Sequence, residues 1–487
     1  MNLVTLLSDR AARHPDRVAL IDAPAGRWRA TTYQQLEQAS QRLAAYLHQQ
    51  GLQPGAIVLL WPPFTADLYV AIAALLSLGL IGLVAKPGRD LAAQLNRYPP
   101  QAWICRPGAR ALRWRYPALR QIPCQLTVGP GWPGAIASPG CRAKAAPRFA
   151  AQADTLAFIT FTSGSTGPPK DCRRSHGLLW AQYQALEPVL QFPEGALEAT
   201  ALPLFVLPNL AAGLTVLLPP VNLAAPARSD PQRVLAALQD HRASRLLAAP
   251  GLLQVLATWA LDHGRSLPHL RQIFLGGAPV LPSLLAQWQQ IAPTATLTAV
   301  YGATEAEPIA SLRHDQISPA DLARVQAGGG LPAGQPVAAI QLRLLPPPPA
   351  MTPVPAGQPG EIAVRGPHVL GREGGWHRTG DVGYLDAQGR LWLLGPWQGR
   401  VGELYPLAVE AIANNYPGVR RSALVSGPEG PVLLVERAGP VRWAALAQAL
   451  APLGAIRLQG CRRLPVDRRH NAKLDYGALA RRTHRRC

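Results

Sequence analysis

The chain has 487 residues, 48% of them hydrophobic and only 16% charged, which is enough apolar material for a sizeable core and excludes disorder as the main state. Its formal charge of +20 rests on 48 basic residues, of which only Lys86, Lys144, Lys170 and Lys473 are lysines. Arginines spread along the whole chain, beside 50 prolines and 44 glycines, read as a GC-rich coding bias, and no nucleic-acid partner is expected.

Length predicts about three structural units or one large multi-lobed enzyme. The six cysteines form no CxxC pair and have no histidines at zinc spacing, so free thiols in a reducing, cytoplasmic setting are expected. The N-terminal stretch MNLVTLLSDRAARHPDR lacks the charged leader and apolar core of a secretory signal.

The first 125 residues alternate helical and strand patterns. Thr32 to Gly51 carries apolar residues near i, i+3, i+4 and i+7, stops at a glycine and leads into the strand AIVLLW. The run from Val70 to Ala85 spans 16 residues with two glycines, too short for a bilayer; it predicts a buried helix to about Leu78 and then a buried strand. Residues 128–148, rich in Gly, Pro and Ala, predict a loop between lobes. The strand TLAFITFT, a loop and a helix from about His176 follow, then further units at RLLAAP, LRQIFLGGAPV and ATLTAVYGATEAEP. From about Gly330 to Leu394, short strands with turn residues predict a small, mostly β subdomain, with Pro346 to Pro349 as a stiff loop inside it.

The predicted class is therefore α/β: a large multi-lobed N-terminal domain (1–395) with mainly parallel sheets and a small β subdomain, then a small α+β C-terminal domain (396–487). From Arg400 onward, 15 basic residues face 6 acidic ones. Such a tail suits an anionic substrate, an acidic carrier protein or peripheral contact with a membrane surface, with a solvated face as the plain alternative.

The densest chemical signal is TSGSTGPPK, Thr162 to Lys170. Thr162, Ser163, Ser165 and Thr166 interleave with Gly164 and Gly167 directly after a strand, so backbone N–H groups and hydroxyls line a concave anion nest to which Lys170 adds a cation. The glycines stand three apart and Asp171 follows the lysine, so this is not the nucleotide P-loop.

With four further segments this loop resembles the adenylate-forming (AMP-binding) superfamily of acyl-CoA synthetases, luciferases and peptide-synthetase adenylation domains, over nearly the whole chain. LGGAPV resembles the family segment that lines adenine, here Gly276, Gly277, Ala278 and Pro279. YGATEAE resembles the segment that meets the phosphates and Mg²⁺, here Tyr301, Gly302, Thr304 and Glu305, with Glu305 as the metal ligand. WHRTGDVGYLD brings Asp381 for the ribose hydroxyls, and RHNAKLDY brings Lys473 as the catalytic lysine of a terminal lid. His176 stands where the family has a histidine after the loop, a substrate contact or a packing residue. The resemblance implies ATP and Mg²⁺, with CoA in some branches, and a lid that swings about a hinge near Trp397 and Gln398.

Independently of family, joining a carboxylate to the α-phosphate of ATP brings two anions together, and the nest, a cation on Glu305 and Lys473 are suitable means to neutralise them.

Several positions depart from the pattern. Asp171 replaces a glycine, Pro396 stands where a glycine-arginine pair is usual, with Arg400 as the nearby substitute for the ribose contact, and Val206 replaces a histidine in ALPLFVLPNL. FVLPNLAAG, YGATEAEPIA and VDRRHNAKL are most similar to the β-lactone synthetase branch of bacterial long-chain olefin biosynthesis. That branch implies a 3-hydroxy fatty acid as the small-molecule acyl substrate, intramolecular attack by its own hydroxyl, and other olefin-pathway enzymes as partners. Two alternatives stand beside it: an acyl-CoA synthetase or ligase loading an acyl carrier protein, and a non-catalytic homologue that binds nucleotide or acyl chain.

Overall fold

The structure is a computed structural model that describes all residues except 1, 86, 130–145, 163–169, 356, 372–374, 467–473, 477 and 480–487, and except the side chains of 25, 162 and 170. The chain divides into two compact units, Met1–Pro219 and Pro220–Cys487.

In the first unit a six-stranded sheet runs in the order 124–127, 102–105, 57–61, 81–84, 156–162, 170–175. All neighbours are parallel except the last pair, Leu156–Thr162 with Lys170–Ser175, which is antiparallel. The helix Tyr33–Gln49 starts where the sequence predicts: Thr32 and Gln35 form a reciprocal capping box. The apolar run resolves into the helix Ala66–Leu78 and the strand Ile81–Val84. Gly79 separates them at φ +66°, and a Cβ there would lie 2.4 Å from the Phe149 ring, so both conformation and space require glycine. Asp22 ties the adjoining strands to this helix by accepting from the Ala66 N–H (2.7 Å) and pairing with Arg29 (2.6 Å), which also reaches Asp67 (3.1 Å).

A strand at Lys170–Ser175 is absent from the sequence reading, which runs the loop straight into the helix. The hydrophobic pattern hides it because, among the described residues of KDCRRS, the two buried positions are Cys172 and Arg174, the latter 2% exposed.

In the second unit the strands Arg245–Ala248, Gln272–Gly276 and Thr296–Ala303 are parallel, with the helices Pro231–Asp240, Pro250–Asp262 and Pro282–Ile291 between and around them. The sheet continues antiparallel through 306–313, 331–336, 391–396, 377–385, 360–365 and 341–345; the last five strands cover the β subdomain predicted from about Gly330 to Leu394. A separate three-stranded sheet, Val419–Gly427, Gly430–Arg437 and Arg457–Cys461, packs with the helices Pro406–Asn414 and Trp443–Leu450. The helix Pro406–Asn414 is buried on two faces: Leu407 and Ala411 join the core of Ile362, Val364 and Trp392, while Val409, Ile412 and Ala413 join that of Leu424 and Leu433. The predicted boundary at 395/396 falls just before this helix, inside the second unit.

Candidate functional site

Three parallel strands of the second unit end side by side, and the carboxyl ends of such strands are where open α/β sheets collect ligands. Gly276 pairs with Val300, so one step further on lie Gly277 and Tyr301. A Cβ on Gly276 would come within 3.1 Å of the Val300 carbonyl, and Gly277 sits at φ +84°. LGGAPV therefore bends off the sheet beside Tyr301, leaving Gly277 and Pro279 exposed and Ala278 partly so.

Tyr301 and Gly302 belong to the strand Thr296–Ala303, which returns as Ala306–Arg313, with Ala303 opposite Ala306. Thr304 and Glu305 are thus the two residues at the tip of a β-hairpin. A Cβ on Gly302 would lie 3.1 Å from the Ala306 carbonyl and from Glu307 Cγ, so the hairpin needs a glycine there. The tip is fastened by the Leu370 N–H, which donates to the Glu305 carbonyl (2.8 Å). Both tip side chains are partly exposed. Among the described residues no three His, Cys, Asp or Glu gather to hold a metal. One carboxylate at an exposed tip fits a Mg²⁺ carried mainly by nucleotide phosphates and water.

Asp381 arrives from the strand His377–Leu385. The Tyr301 hydroxyl donates to its Oδ2 (3.0 Å), and the Asp381 N–H donates to Thr379 Oγ1 (3.1 Å). Thr379 in turn donates to the Ile362 carbonyl (3.0 Å). Burial pushes the Tyr301 phenol well above its ordinary pKa and the neighbouring carboxylate adds to the shift, so the hydroxyl stays a donor. Next to it, Glu361 accepts from the Gly380 N–H (3.2 Å) and from Arg378 (2.8 Å).

Pro396 stands opposite Asp381 in the sheet and caps the short turn Trp397–Gly399. The Arg400 guanidinium lies over the rings of Trp397 and Tyr405 and donates to Glu403 (2.6 Å). Its Nε is a buried donor without a protein partner among the described residues. A Cβ on Gly399 would meet the Tyr476 ring at 3.0 Å, and the Tyr476 hydroxyl donates to Glu410 (2.6 Å), which also accepts from the Leu424 N–H (2.9 Å). Glu410 is 2% exposed, and burial raises its carboxyl to about 7. Lys473 lies outside the described residues; Val466 and Leu474, on either side of 467–473, bridge to each other.

In the first unit, Thr162 pairs with Lys170 across the hairpin that closes the glycine-rich loop. Ser163, Gly164, Ser165, Thr166 and Gly167 lie outside the described residues, as do the side chains of Thr162 and Lys170. Asp171 is engaged: Arg97 pairs with it (3.0 Å) and the Tyr98 hydroxyl donates to it (2.6 Å). His176 opens the helix His176–Leu190 and is 1% exposed; burial lowers its pKa to about 4, so it is neutral near pH 7. The helix Pro203–Ala212 holds Val206 fully buried, with Phe205, Leu207 and Leu210 around it.

The second unit thus brings together Gly276 to Pro279, Tyr301, Gly302, Thr304, Glu305 and Asp381 near one end of one sheet. Sequence reasoning missed the Tyr301–Asp381 and Glu410–Tyr476 bonds, which join residues 80 and 66 positions apart. No local pattern signals either.

A family model for the AMP-binding enzyme matches residues 7–372. An olefin beta-lactone synthetase from Xanthomonas campestris pv. campestris is 33% identical over 98% of this chain and 97% of its own length. One from Stenotrophomonas maltophilia is 32% identical over the same shares. Among solved structures, ATP-bound MatB from Rhodopseudomonas palustris superposes with a TM-score of 0.80 over 99% of both chains at 23% identity. The anthranilate CoA ligase AuaEII in complex with anthranoyl-AMP gives 0.82 over 99% of this chain and 97% of its own, at 18% identity; at such identities the likeness concerns the fold. Sequence match and architecture agree: the chain belongs to the AMP-binding enzyme family and is an acyl-adenylate-forming ligase.

Proposed function

We propose that this ligase activates a hydrophobic 3-hydroxy fatty acid with MgATP and then closes it to a β-lactone. The observation that carries the reading is the likeness to two olefin beta-lactone synthetases along 98% of the chain. In the first step a carboxylate oxygen attacks the α-phosphorus, its bond to the bridging oxygen breaks and pyrophosphate leaves. In the second, the substrate's 3-hydroxyl oxygen attacks the acyl carbon, AMP departs with the bonding pair and the hydroxyl proton passes to solvent. A nucleophile tethered to its target gains a high effective concentration, so no thiol is required.

The residues divide this work. Asp381, held by Tyr301, accepts the ribose hydroxyls, and the Nε of Arg400, without a partner among the described residues, is a further donor for the sugar. Gly276, Gly277, Ala278 and Pro279 flank the base, where side-chain bulk is least. Thr304 and the loop from Thr162 to Lys170 hold phosphate oxygens, and Glu305 takes the Mg²⁺, which offsets charge on the phosphates. Lys473 on the 396–487 lid supplies the cation at the α-phosphate. A swing of that lid about Trp397 and Gln398 has to release Leu407 and Ala411 from the core they share with Trp392. His176, buried and neutral, shapes the acyl side. Phe205 to Leu210 supplies apolar wall for the acyl chain.

A second reading, acyl-CoA synthetase or carrier-loading ligase, rests on other relatives. A feruloyl-CoA synthase is 32% identical over 57% of the chain, and a salicyl-AMP ligase / salicyl-S-ArCP synthetase 27% identical over 94%. The cytoplasm is the compartment we assign, since Cys105 and Cys124 are free thiols. Among the described residues no helix is long and apolar enough to cross a membrane.

The deciding experiment incubates the protein with ATP, Mg²⁺ and a 3-hydroxy fatty acid, with and without CoA or a phosphopantetheinyl carrier. Pyrophosphate release without any thiol, and a product one water lighter than the acid, are expected. Release only with CoA or carrier, and a thioester product, would overturn the lactone reading. Nucleotide binding without turnover of any acid would leave only the non-catalytic alternative.

A further inference from the structure

Between Asp90 and Asp154 the chain carries no acidic residue but nine basic ones. Five of these, Arg106, Arg110, Arg113, Arg115 and Arg120, fall within one short stretch and all are exposed. That stretch contains the 3-10 turns Pro107–Trp114 and Pro117–Gln121, which precede the edge strand Cys124–Thr127 of the six-stranded sheet. Ala109 and Leu119 anchor it in the core. Arg110 donates to the Gln125 carbonyl (3.1 Å), and the Gln125 side chain donates to the Leu119 and Ile122 carbonyls (3.1 Å each). The platform is therefore fixed to the sheet, and its outer side is free to act.

At its centre Trp114 is 72% exposed. The guanidiniums of Arg120 and Arg113 lie 4.8 and 5.9 Å from its ring centroid. A tryptophan this exposed forfeits the burial that normally holds such a ring. We infer that this arginine-ringed Trp114 platform docks the enzyme on an anionic phospholipid surface. An indole suits the headgroup level of a bilayer, and a cluster of cations with no carboxylate among them suits acidic headgroups. Guanidiniums already over the ring leave it poorly placed to stack a nucleic-acid base, as single-strand readers require. If the substrate is a long-chain acid, as proposed above, such docking places the enzyme where that acid partitions; the docking itself does not depend on that substrate.

The test is co-sedimentation of the full chain with phosphatidylcholine vesicles, with or without about a third phosphatidylglycerol. Binding to the anionic vesicles only, weakening as salt is raised, is expected. Because the whole protein is cationic, R113E/R115E is compared with R233E/R265E, an equal charge change elsewhere in the chain. R113E/R115E should lower vesicle affinity at least tenfold and the control less than threefold, with unchanged melting of each by circular dichroism. Trp114→Ala, a milder change that adds no charge, should also weaken binding at equal salt. Three results would each overturn the inference: no binding to anionic vesicles, equal losses in the two double variants, or tighter binding to single-stranded DNA or an acidic carrier protein than to vesicles at the same salt. A failed reading of the lactone chemistry would leave all of these measurements untouched.

Discussion

The Tyr301 hydroxyl donates to Asp381 Oδ2 across 3.0 Å, tying the strand Thr296–Ala303 to the strand His377–Leu385. The bond orients the carboxylate that we propose accepts the ribose hydroxyls. Tyr301→Phe removes a hydrogen bond to a charged group, an effect of about 1.5–3 kcal/mol, so KM for ATP should rise by roughly one to two orders of magnitude with little change in kcat. Asp381→Ala removes the carboxylate itself and should raise KM further. Steady-state kinetics at saturating acid check both, and an Asp381→Ala enzyme with an unaltered KM for ATP would remove this residue from the nucleotide site.

Lys473→Ala should separate the two half-reactions. Loss of one cation opposite a developing phosphorane charge costs several kcal/mol, so formation of acyl-AMP should fall by about a hundredfold or more. Conversion of a preformed acyl-adenylate should remain within about threefold, because the phosphorus is not attacked in that step and no pentavalent phosphorus forms. Pyrophosphate exchange reports the first step and product formation from synthetic acyl-AMP the second. Equal loss of both would show that the lysine is not specific to adenylation.

Much of this architecture was legible in the sequence because many elements carry their own local signal. Apolar spacing from Thr32 to Gly51 announces a helix, the run from Val70 to Ala85 a buried helix and strand, and the switch to short strands after Gly330 a β subdomain. Motif residues that share one stretch, such as Thr304 and Glu305, could be assigned together; that they form a hairpin tip could not, since the tip depends on pairing between Ala303 and Ala306. The strand Lys170–Ser175 escaped because Arg174 occupies an inward position that a hydrophobic pattern expects to be apolar. Partnerships across the fold, Tyr301 with Asp381 and Tyr476 with Glu410, leave no trace in spacing.

Asp171, an acidic departure beside the loop proposed to hold the phosphates, has its charge met by Arg97 at 3.0 Å and by the Tyr98 hydroxyl at 2.6 Å. Arg97 is well exposed, so the pair is worth about 1 kcal/mol at most. Arg97→Ala should therefore raise KM for ATP by no more than about fivefold, and Asp171→Gly in the same background should restore it. If Arg97→Ala has no effect while Asp171→Gly alone tightens ATP, the carboxylate acts on the phosphates despite its partners.

Glu410 offers a pH signature within the terminal module. Its carboxyl is raised from 4.5 to about 7, first by burial, with the bonds from Tyr476 and Leu424 acting in the opposite direction. A carboxyl whose folded pKa exceeds its unfolded one makes its favourable contribution below the unfolded value, and that contribution is lost as pH climbs through the folded value. The module should thus lose stability between about pH 4.5 and 7, by a ceiling on the order of 3 kcal/mol. Glu410→Gln keeps an acceptor for Tyr476 and Leu424 but does not titrate, so the fall in melting temperature from pH 5 to pH 8 should be smaller in this variant than in the parent. Tyr476→Phe removes a donor that favours the charged form and should move the loss to higher pH. Parallel melting curves for parent and Glu410→Gln across that range would show that Glu410 ionises as freely in the folded chain as in the unfolded one, and that the 2.6 Å bond from Tyr476 compensates its burial in full.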